Sequence, residues 1–471
     1  MMGLDKSQLG IDFIRGWEFC SPICFGRRGF AYDVRCSCIC FVGTEMRKEG
    51  RKTINYLMTL PSQMTMIWDD YGSIGTTAIA FFVRVGSRDE PKDQYGAAHF
   101  LEHAVFKGAG NWSARDIAGI QDQLGGEINA FTTRDYTVYY AKVLSSKASE
   151  ALELLWTLIS APFLESSDID KERHVILEEL LEAQDDLEDR SSELYVSALF
   201  PDPDFHHDVL GTKETIQNFK AQDLRDFHRQ FYFPGNIVAV LAGDGVDQLR
   251  RQLQSFSWPK SGHSRPLSRQ PVFHQPRVRM LQKAGEQVHL TMGIAAPLLD
   301  DVAHDATLIL TTILAGQNTS RLWQRLREEE GLVYTVSASY SALKDWAELS
   351  VYMALSPGSV PRALEVARDE IQQLVLTPPS SRERDLALTQ AETSMAFAME
   401  TPDGRVMRLG LYALYGMMPL DPRERLSQLE QVTCDEIRVT AHRLFHGSPW
   451  AIGASGPVDS IRPVLNQGFT A

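Results

Sequence analysis

Hydrophobic and polar positions along the chain follow two periods, one typical of strands and one typical of helices. Short apolar runs closed by Gly, Ser or Asp predict strands, and longer runs with apolar residues every three to four positions predict helices. In the first half the predicted strands are 76–85, 127–131, 137–144 and 237–242, and the predicted helices are 96–106, 148–159 and 168–189. This mixture predicts a fold that combines α and β structure.

The order of elements then recurs after a proline-rich stretch, 257–277, which contains no acidic residue. The second half predicts strands at 288–296, 333–340 and 348–354, and helices at 306–315, 320–329 and 360–374. The segment that begins at Val138 and the one that begins at Val351 both read as a strand, a serine-containing turn and a helix with Ala-Leu-Glu. We therefore predict a duplicated domain.

Composition and charge narrow the classes of function. The 471 residues contain 47 Lys and Arg against 61 Asp and Glu, a formal net charge of −14. A nucleic-acid-binding surface needs the opposite sign, so nucleic acid is not an expected partner. No apolar stretch is long enough for a membrane span. We expect a cytoplasmic protein, since no signal peptide is visible and only Cys434 lies outside the first 55 residues.

Residues 1–55 differ from the rest of the chain. They contain five of the six cysteines and nine basic against six acidic side chains. The spacing of these cysteines matches no zinc-ribbon pattern. We expect a poorly ordered extension that the rest of the chain does not need for folding, and a small metal or disulfide knot is the alternative. The five cysteines are Cys20, Cys24, Cys36, Cys38 and Cys40.

The segment 97–108 carries the most specific chemical pattern of the chain. His99 and His103 are four residues apart, so on a helix they share one face and can reach one metal ion. Glu102 lies close to the same face. The order His-x-x-Glu-His is the inverted form of a zinc-protease motif. The alternative interpretation is a pair of surface histidines beside a carboxylate.

A catalytic zinc site needs a third protein ligand and an open position for water. The best source is the acidic helix around 170–182. Glu172 and Glu179 are seven residues apart, two helical turns, and share a face. Glu178 is the adjacent alternative, turned by about 100° around the helix axis. Spacing alone leaves the choice among these glutamates open.

Motifs spread over nearly all of the chain after residue 56 resemble those of the pitrilysin-like metallopeptidases, in particular the two-domain subgroup similar to mitochondrial processing peptidase. One segment departs from the family, because Leu60-Pro-Ser-Gln63 replaces a Leu-x-Asn-Gly turn. The matching motifs are Gly86-Ser-Arg-Asp-Glu-Pro91, the inverted histidine motif, Gly125-Gly-Glu-Ile-Asn-Ala-Phe-Thr132, Glu172 with Glu179, Val209-Leu-Gly-Thr212, Phe233-Pro-Gly-Asn236 and Leu326-Arg-Glu-Glu-Glu-Gly-Leu-Val-Tyr334.

The resemblance implies an α+β fold of two homologous domains, each a mixed, mostly antiparallel sheet packed with helices. The extension would be followed by a zinc-binding catalytic domain at 56–256, the linker at 257–277, and a homologous domain at 278–471. It also implies a zinc-dependent endopeptidase that cleaves extended peptides or unstructured segments, with one Zn²⁺ per chain.

The resemblance also implies a role for each matching residue. His99, His103 and Glu179 would bind zinc, and Glu172 would orient a histidine ligand. Glu102 would take the proton of the attacking water and pass it to the leaving amine. The substrate contacts would be Asn129 and Ala130 on an edge strand that pairs with the peptide, Phe106 near the site or in a pocket, and the pair Arg327 and Tyr334.

A second copy of the chain is the expected partner. In relatives with four domains on one chain, the zinc motif lies in the first domain and the Arg/Tyr pair in the fourth. Because this chain has two domains, we expect a homodimer in which Arg327 and Tyr334 act in trans, and a heterodimer with a related subunit is the alternative. The alternative function is that of a catalytically silent family member that presents substrate or supports a partner subunit.

Overall fold

The computed structural model of the chain describes residues 55–258 and 277–470, with gaps at 61, 73–74 and 201. Nearly all of the predicted extension and of the predicted linker lies outside the described residues. The helices and strands of the described residues form two layered units, each with a sheet and its own apolar core.

The first unit contains a six-stranded sheet with the spatial order β1-β2-β8-β3-β7-β6. Its strands are antiparallel except for the parallel pair β2 and β8, and β6 forms one edge. A separate two-stranded ribbon is formed by β4 and β5. In chain order the strands are β1 (Asn55–Thr59), β2 (Thr65–Asp69), β3 (Thr76–Val83), β4 (Gly108–Ala109), β5 (Trp112–Ser113), β6 (Glu127–Thr132), β7 (Thr137–Leu144) and β8 (Ile237–Gly243).

Helices from the first half of the chain cover one face of this sheet and bury apolar side chains there, among them Phe81, Tyr139 and Leu241. In the segment that departs from the family motif, the Gln63 N–H donates to the Leu60 carbonyl oxygen between β1 and β2. There Gln63 takes a φ of 75°, a conformation for which glycine is preferred. The helices of this half are α1 (Ala97–Ala104), α2 (Ala114–Leu124), α3 (Ala148–Ser160), α4 (Ser166–Asp185), α5 (Leu187–Leu199), α6 (Pro203–His206), α7 (Lys213–Asn218), α8 (Ala221–Phe231) and α9 (Val246–Ser255).

The second unit repeats this architecture, as the recurring order of elements predicts. Its main path is β11-β12-β10-β13, and β9 pairs with β13 in parallel just as β2 pairs with β8. The strands are β9 (Val278–Gln282), β10 (Val288–Ala295), β11 (Val333–Ala342), β12 (Ala347–Leu355), β13 (Pro449–Gly456) and β14 (Phe469–Thr470). The helices are α10 (His304–Ala315), α11 (Val360–Leu376), α12 (Ser381–Glu400), α13 (Pro402–Leu414), α14 (Pro422–Glu430), α15 (Cys434–Phe445) and α16 (Arg462–Leu465). The α+β fold of two similar domains is confirmed.

Two predicted helices differ from the structure. The helix predicted at 168–189 is broken at Asp186, whose side chain accepts hydrogen bonds from the backbone N–H groups of Glu188 and Asp189 and so starts α5. The continuous polar pattern concealed this break because Asp is as compatible with an exposed helix face as with a helix start. The helix predicted at 320–329 has π-type hydrogen bonding over Trp323–Glu329.

The two units exchange helices. Helix α5, from the first half of the chain, packs on β10 and β13, while α13, from the second half, packs on β3 and β8. Glycines permit this close approach: a Cβ on Gly453 would lie 2.2 Å from the carbonyl oxygen of Ser191, and one on Gly410 would lie 2.0 Å from the Phe82 ring. The predicted domain boundary therefore divides the sequence into two repeats, but each sheet is covered in part by a helix from the other repeat.

One buried arginine joins the two repeats. The Arg88 guanidinium forms ion pairs with Asp135, in the turn between β6 and β7, and with Asp345, in the equivalent turn between β11 and β12. The indole N–H of Trp346 also donates to Asp135, at 3.2 Å. The side chain of Arg88 is only 1% exposed, and both aspartates are buried with it. An unpaired charge at this position would therefore be costly. No helix in the described ranges is long and apolar enough to cross a membrane.

Candidate metal centre

Helix α1 carries the inverted histidine motif and is held against the core by its apolar residues. The helix starts after Gly96, which has a φ of 93°, and it buries Ala97, Phe100 and Leu101. His99 and Glu102 are also buried, whereas His103 is half-buried. The surface-histidine alternative is therefore wrong for His99.

Three side chains converge next to α1. The Nε2 atoms of His99 and His103 lie 3.7 Å and 3.5 Å from Oε2 of Glu179, which comes from α4. One ligand atom from each of the three residues lies within 4.8 Å of the others, and the described residues contain no other such group. Glu178, the adjacent alternative in the sequence, is exposed. Tertiary structure thus selects Glu179.

Glu172 lies two helical turns before Glu179 on α4 and bonds to the other nitrogen of the His103 ring. The Nδ1 atom of His103 lies 2.9 Å from Oε1 of Glu172, and the Lys107 ammonium lies 2.6 Å from Oε2. Burial opposes ionisation of Glu172, but the hydrogen bonds from His103 and Lys107 outweigh it and lower its pKa. With Nδ1 donating to this carboxylate, Nε2 of His103 is left to face Glu179. Sequence reasoning missed Lys107, although its position four residues after His103 was a usable signal.

Glu102 lies in the same buried site but makes a different contact. The Thr132 hydroxyl, at the end of β6, donates to Oε2 of Glu102 at 2.5 Å. Burial raises the pKa of Glu102 to about 7, against the opposing effect of the Thr132 hydrogen bond. A carboxylate with a pKa near neutrality is suited to taking up and releasing a proton. Sequence reasoning missed this role of Thr132, because its contact with Glu102 arises from the fold.

The residues fit a divalent zinc ion. Two imidazole nitrogens and one carboxylate oxygen are a donor set of catalytic zinc sites, and ligand bonds of about 2.0–2.2 Å require ligand atoms separated much as these are. Burial lowers the pKa of His99 to about 3, which keeps its ring neutral, as a metal ligand must be. Its Nδ1 atom is buried and has no hydrogen-bond partner among the described residues.

Asn129, Ala130 and Phe106 are predicted to contact substrate, and all three belong to the first unit. Asn129 and Ala130 lie on the edge strand β6, where the Asn129 side chain accepts from the Ala130 N–H. Phe106 is partly buried against the core, with its ring centroid 6.5 Å from that of Tyr139. The substrate-binding roles of these three residues stay predictions.

Arg327 and Tyr334 come together in the second unit. The Arg327 guanidinium lies 5.5 Å from the Tyr334 ring centroid and 4.9 Å from that of Trp323. Tyr334 is 68% exposed. In the described part of the chain, no hydrogen bond, ion pair or ring contact connects this cluster to His99, His103 or Glu179.

Comparisons with known proteins agree with this geometry. Residues 72–213 match the family model for insulinase, peptidase family M16, and residues 218–391 match the model for the M16 inactive domain. The chain is 30% identical to an uncharacterized zinc protease of Streptomyces coelicolor over 85% of this chain and 89% of that protein. It is 31% identical to one of Mycobacterium tuberculosis over 87% of this chain and 94% of the relative.

A solved structure from Pseudomonas fluorescens, described as a peptidase M16 inactive domain, shares the fold. Its TM-score is 0.78 at 17% identity, and the match covers 86% of this chain and 98% of that one. A duplicated α+β chain with an inverted histidine motif and a distant glutamate defines a class, the zinc proteases of the pitrilysin type. The chain belongs to peptidase family M16.

Replacing Glu179 with Gln is expected to weaken zinc binding by more than about 100-fold, because the substitution removes an anionic ligand. Loss of a direct ligand should cost more than loss of an outer-sphere partner. Metal content after dialysis and competition with a chromogenic chelator measure the effect. Glu178→Gln is the matched control, since Glu178 is exposed on the same helix turn and should keep the wild-type zinc affinity. Equal zinc binding by the two variants would exclude Glu179 as a ligand.

Proposed function

We propose that this protein is a zinc-dependent endopeptidase that cleaves extended peptides or unstructured polypeptide segments, with one Zn²⁺ per chain. The observation that carries the proposal is the convergence of His99, His103 and Glu179 beside a buried Glu102 on the same helix as the two histidines. A bound zinc ion would polarise the attacking water and the scissile carbonyl. Side chains of the protein itself carry the proton and hold the substrate.

Glu102 is the proton carrier of the reaction. Because Thr132 occupies Oε2, the other oxygen, Oε1, is available to accept the proton of water. The same carboxyl group then donates that proton to the leaving amine, which requires a group that is easily protonated near pH 7. Glu172 and Lys107 act one step away, by fixing the ring of His103.

The substrate is held as an additional strand. Strand β6 is the edge of the first sheet and its only neighbour among the described strands is β7, so its outer backbone groups can pair with an extended chain. Thr132 at the end of β6 bonds to Glu102, which places this edge directly beside the catalytic carboxylate. An unfolded segment meets the requirement for an extended backbone, whereas a folded domain does not.

The active unit is a homodimer. Arg327, Trp323 and Tyr334 form a cationic and aromatic cluster in which Tyr334 is exposed and the other two are half-buried. Among the described residues this cluster makes no contact with the metal ligands of its own chain. A guanidinium and a phenol are suited to binding a peptide carbonyl and a developing oxyanion. Their supply by a second copy would complete the site, and a related partner subunit could take the same place.

Removal of the metal tests the proposed activity. Treatment with a chelator should abolish cleavage of a mixed library of unstructured peptides, and one equivalent of Zn²⁺ per chain should restore it. Mass spectrometry of the products would locate the cuts, which should fall inside peptides, and a stably folded protein of similar composition should remain intact. A zinc-loaded protein that cleaves no peptide would favour the silent family member instead.

A further inference from the structure

A second buried pair lies at the start of helix α1, outside the metal ligands. Glu90, whose side chain is fully buried, accepts the backbone N–H groups of Gly96 and Ala98, both at 2.7 Å. Gly96 is the N-cap of α1 and Ala98 lies in its first turn, and the helix itself offers no acceptor to these N–H groups. His99 directly follows Ala98, so the Glu90 carboxylate bonds to the backbone immediately before the first histidine of the motif.

His207 holds this carboxylate from the opposite side. Its Nε2 atom lies 3.0 Å from Oε2 of Glu90, and its Nδ1 atom lies 3.0 Å from the carbonyl oxygen of Pro203. A carbonyl oxygen only accepts, so Nδ1 carries a proton, and one further proton lies between Nε2 and Glu90. The imidazole is therefore fixed at both nitrogens, and neither is available to a metal or a substrate.

The surrounding contacts fix the plane of the His207 ring. It stacks on Tyr95 with a centroid separation of 3.7 Å and an interplanar angle of 8°. The carbonyl oxygen of Tyr95 in turn accepts from the Thr215 hydroxyl at 2.6 Å. Glycine at 211 allows this approach, since a Cβ there would lie 2.3 Å from the same carbonyl oxygen. The segment 207–215 thus packs directly on the residues that precede α1.

We propose that His207 is a positioning residue for the metal centre: it orients Glu90, and Glu90 holds the first turn of α1 so that His99 meets His103 and Glu179. The contact between His207 and Glu90 spans 117 residues of sequence and joins the segment before α7 to the segment before α1. This inference deepens the proposed zinc-protease function and rests on zinc binding at the site.

Three single variants of the full chain test the proposal. His207→Asn keeps a donor near the position of Nδ1 but is too short to reach Glu90. His207→Gln has the reach to donate to Glu90. The adjacent His206→Asn is the matched control, because His206 bonds through Nδ1 to the Phe200 carbonyl oxygen and, in the part of the chain that the structure describes, makes no hydrogen bond to Glu90.

The zinc dissociation constant, measured by chelator competition, should rise about 10- to 100-fold for His207→Asn, the range of outer-sphere partners. It should stay within a few-fold of the wild-type value for His207→Gln and for His206→Asn. Hydrogen exchange of the Ala98 amide in the metal-free protein should accelerate about 10-fold in His207→Asn alone, which corresponds to the loss of one hydrogen bond to a charged group.

Wild-type zinc affinity together with wild-type Ala98 exchange in His207→Asn would overturn the proposal, as would equal effects of Asn and Gln. If His207→Asn fails to fold, His207→Gln decides: near-normal zinc affinity and Ala98 exchange support the role of the Glu90 contact, and loss of both refutes it. Failure of the wild-type chain to bind zinc would instead refute the proposed function, and the exchange measurement on the metal-free chain would still test the role of His207.

Discussion

Glu102→Gln is expected to lower kcat by about 10³- to 10⁴-fold while zinc stays bound. The amide has nearly the shape of the carboxylate and can still accept from Thr132, but it cannot take a proton from water at neutral pH. The three ligands His99, His103 and Glu179 are unchanged, so the metal content should match that of the wild-type protein. Turnover of a quenched peptide and metal analysis of the same sample measure both quantities.

The expected pattern separates Glu102 from the ligands. Glu102→Gln should lose turnover and keep zinc, whereas Glu179→Gln should lose both. Thr132→Ser is a suitable control, because it retains the hydroxyl group that donates to Glu102 and should retain most of the activity. Substantial turnover by Glu102→Gln, in a preparation shown to be free of other proteases, would remove Glu102 from the proton-carrying role.

Mixing two inactive variants is expected to restore activity. Glu102→Gln lacks the proton carrier, and Arg327→Ala/Tyr334→Phe lacks the substrate-binding pair. In a dimer with two-fold symmetry, a hybrid of the two would contain one complete site out of two. After full subunit exchange at equal concentrations, about half of the dimers are hybrids, so the mixture should reach about a quarter of the wild-type activity.

The control mixture combines Glu102→Gln with a chain that carries all three substitutions. Its hybrids contain no complete site and should remain inactive, which separates complementation from simple stabilisation by mixing. Native mass spectrometry of chains with different masses would show that hybrids form. Hybrids that form without any gain in activity would show that Arg327 and Tyr334 do not act across a dimer interface.

Much of the fold was predictable from the sequence because its signals are local. The apolar strands and the recurrence of their order predicted two similar α+β domains, and the structure confirms both. Placement of His99, Glu102 and His103 on one helix follows from spacings of three and four residues, since the period of a helix leaves little freedom over one turn. A broken helix at Asp186 shows the limit of such reasoning, because one capping side chain redirects the chain without changing the polar pattern.

The contacts that complete the molecule connect residues far apart in sequence. Arg88 pairs with Asp345 across 257 residues, and Thr132 reaches Glu102 across 30. Helix α5 comes from the first half of the chain but packs on the second sheet, and its sequence pattern does not indicate which sheet it covers. These arrangements depend on which surfaces fit together once the strands and helices exist.

The sequence by itself determined the two repeated domains and the inverted histidine motif on its helix, together with two glutamates, Glu172 and Glu179, on one face of another helix. Helix spacing left the third ligand open among three glutamates, the family resemblance pointed to Glu179, and the tertiary structure brings Glu179 to the histidines. Only the tertiary structure decided that Lys107 and Thr132 contact the site and that His207 bonds Glu90. The physical reason is that helix period and strand alternation act over a few residues. The ligand geometry depends on the packing of α1, α4 and β6, and that packing is a property of the whole core.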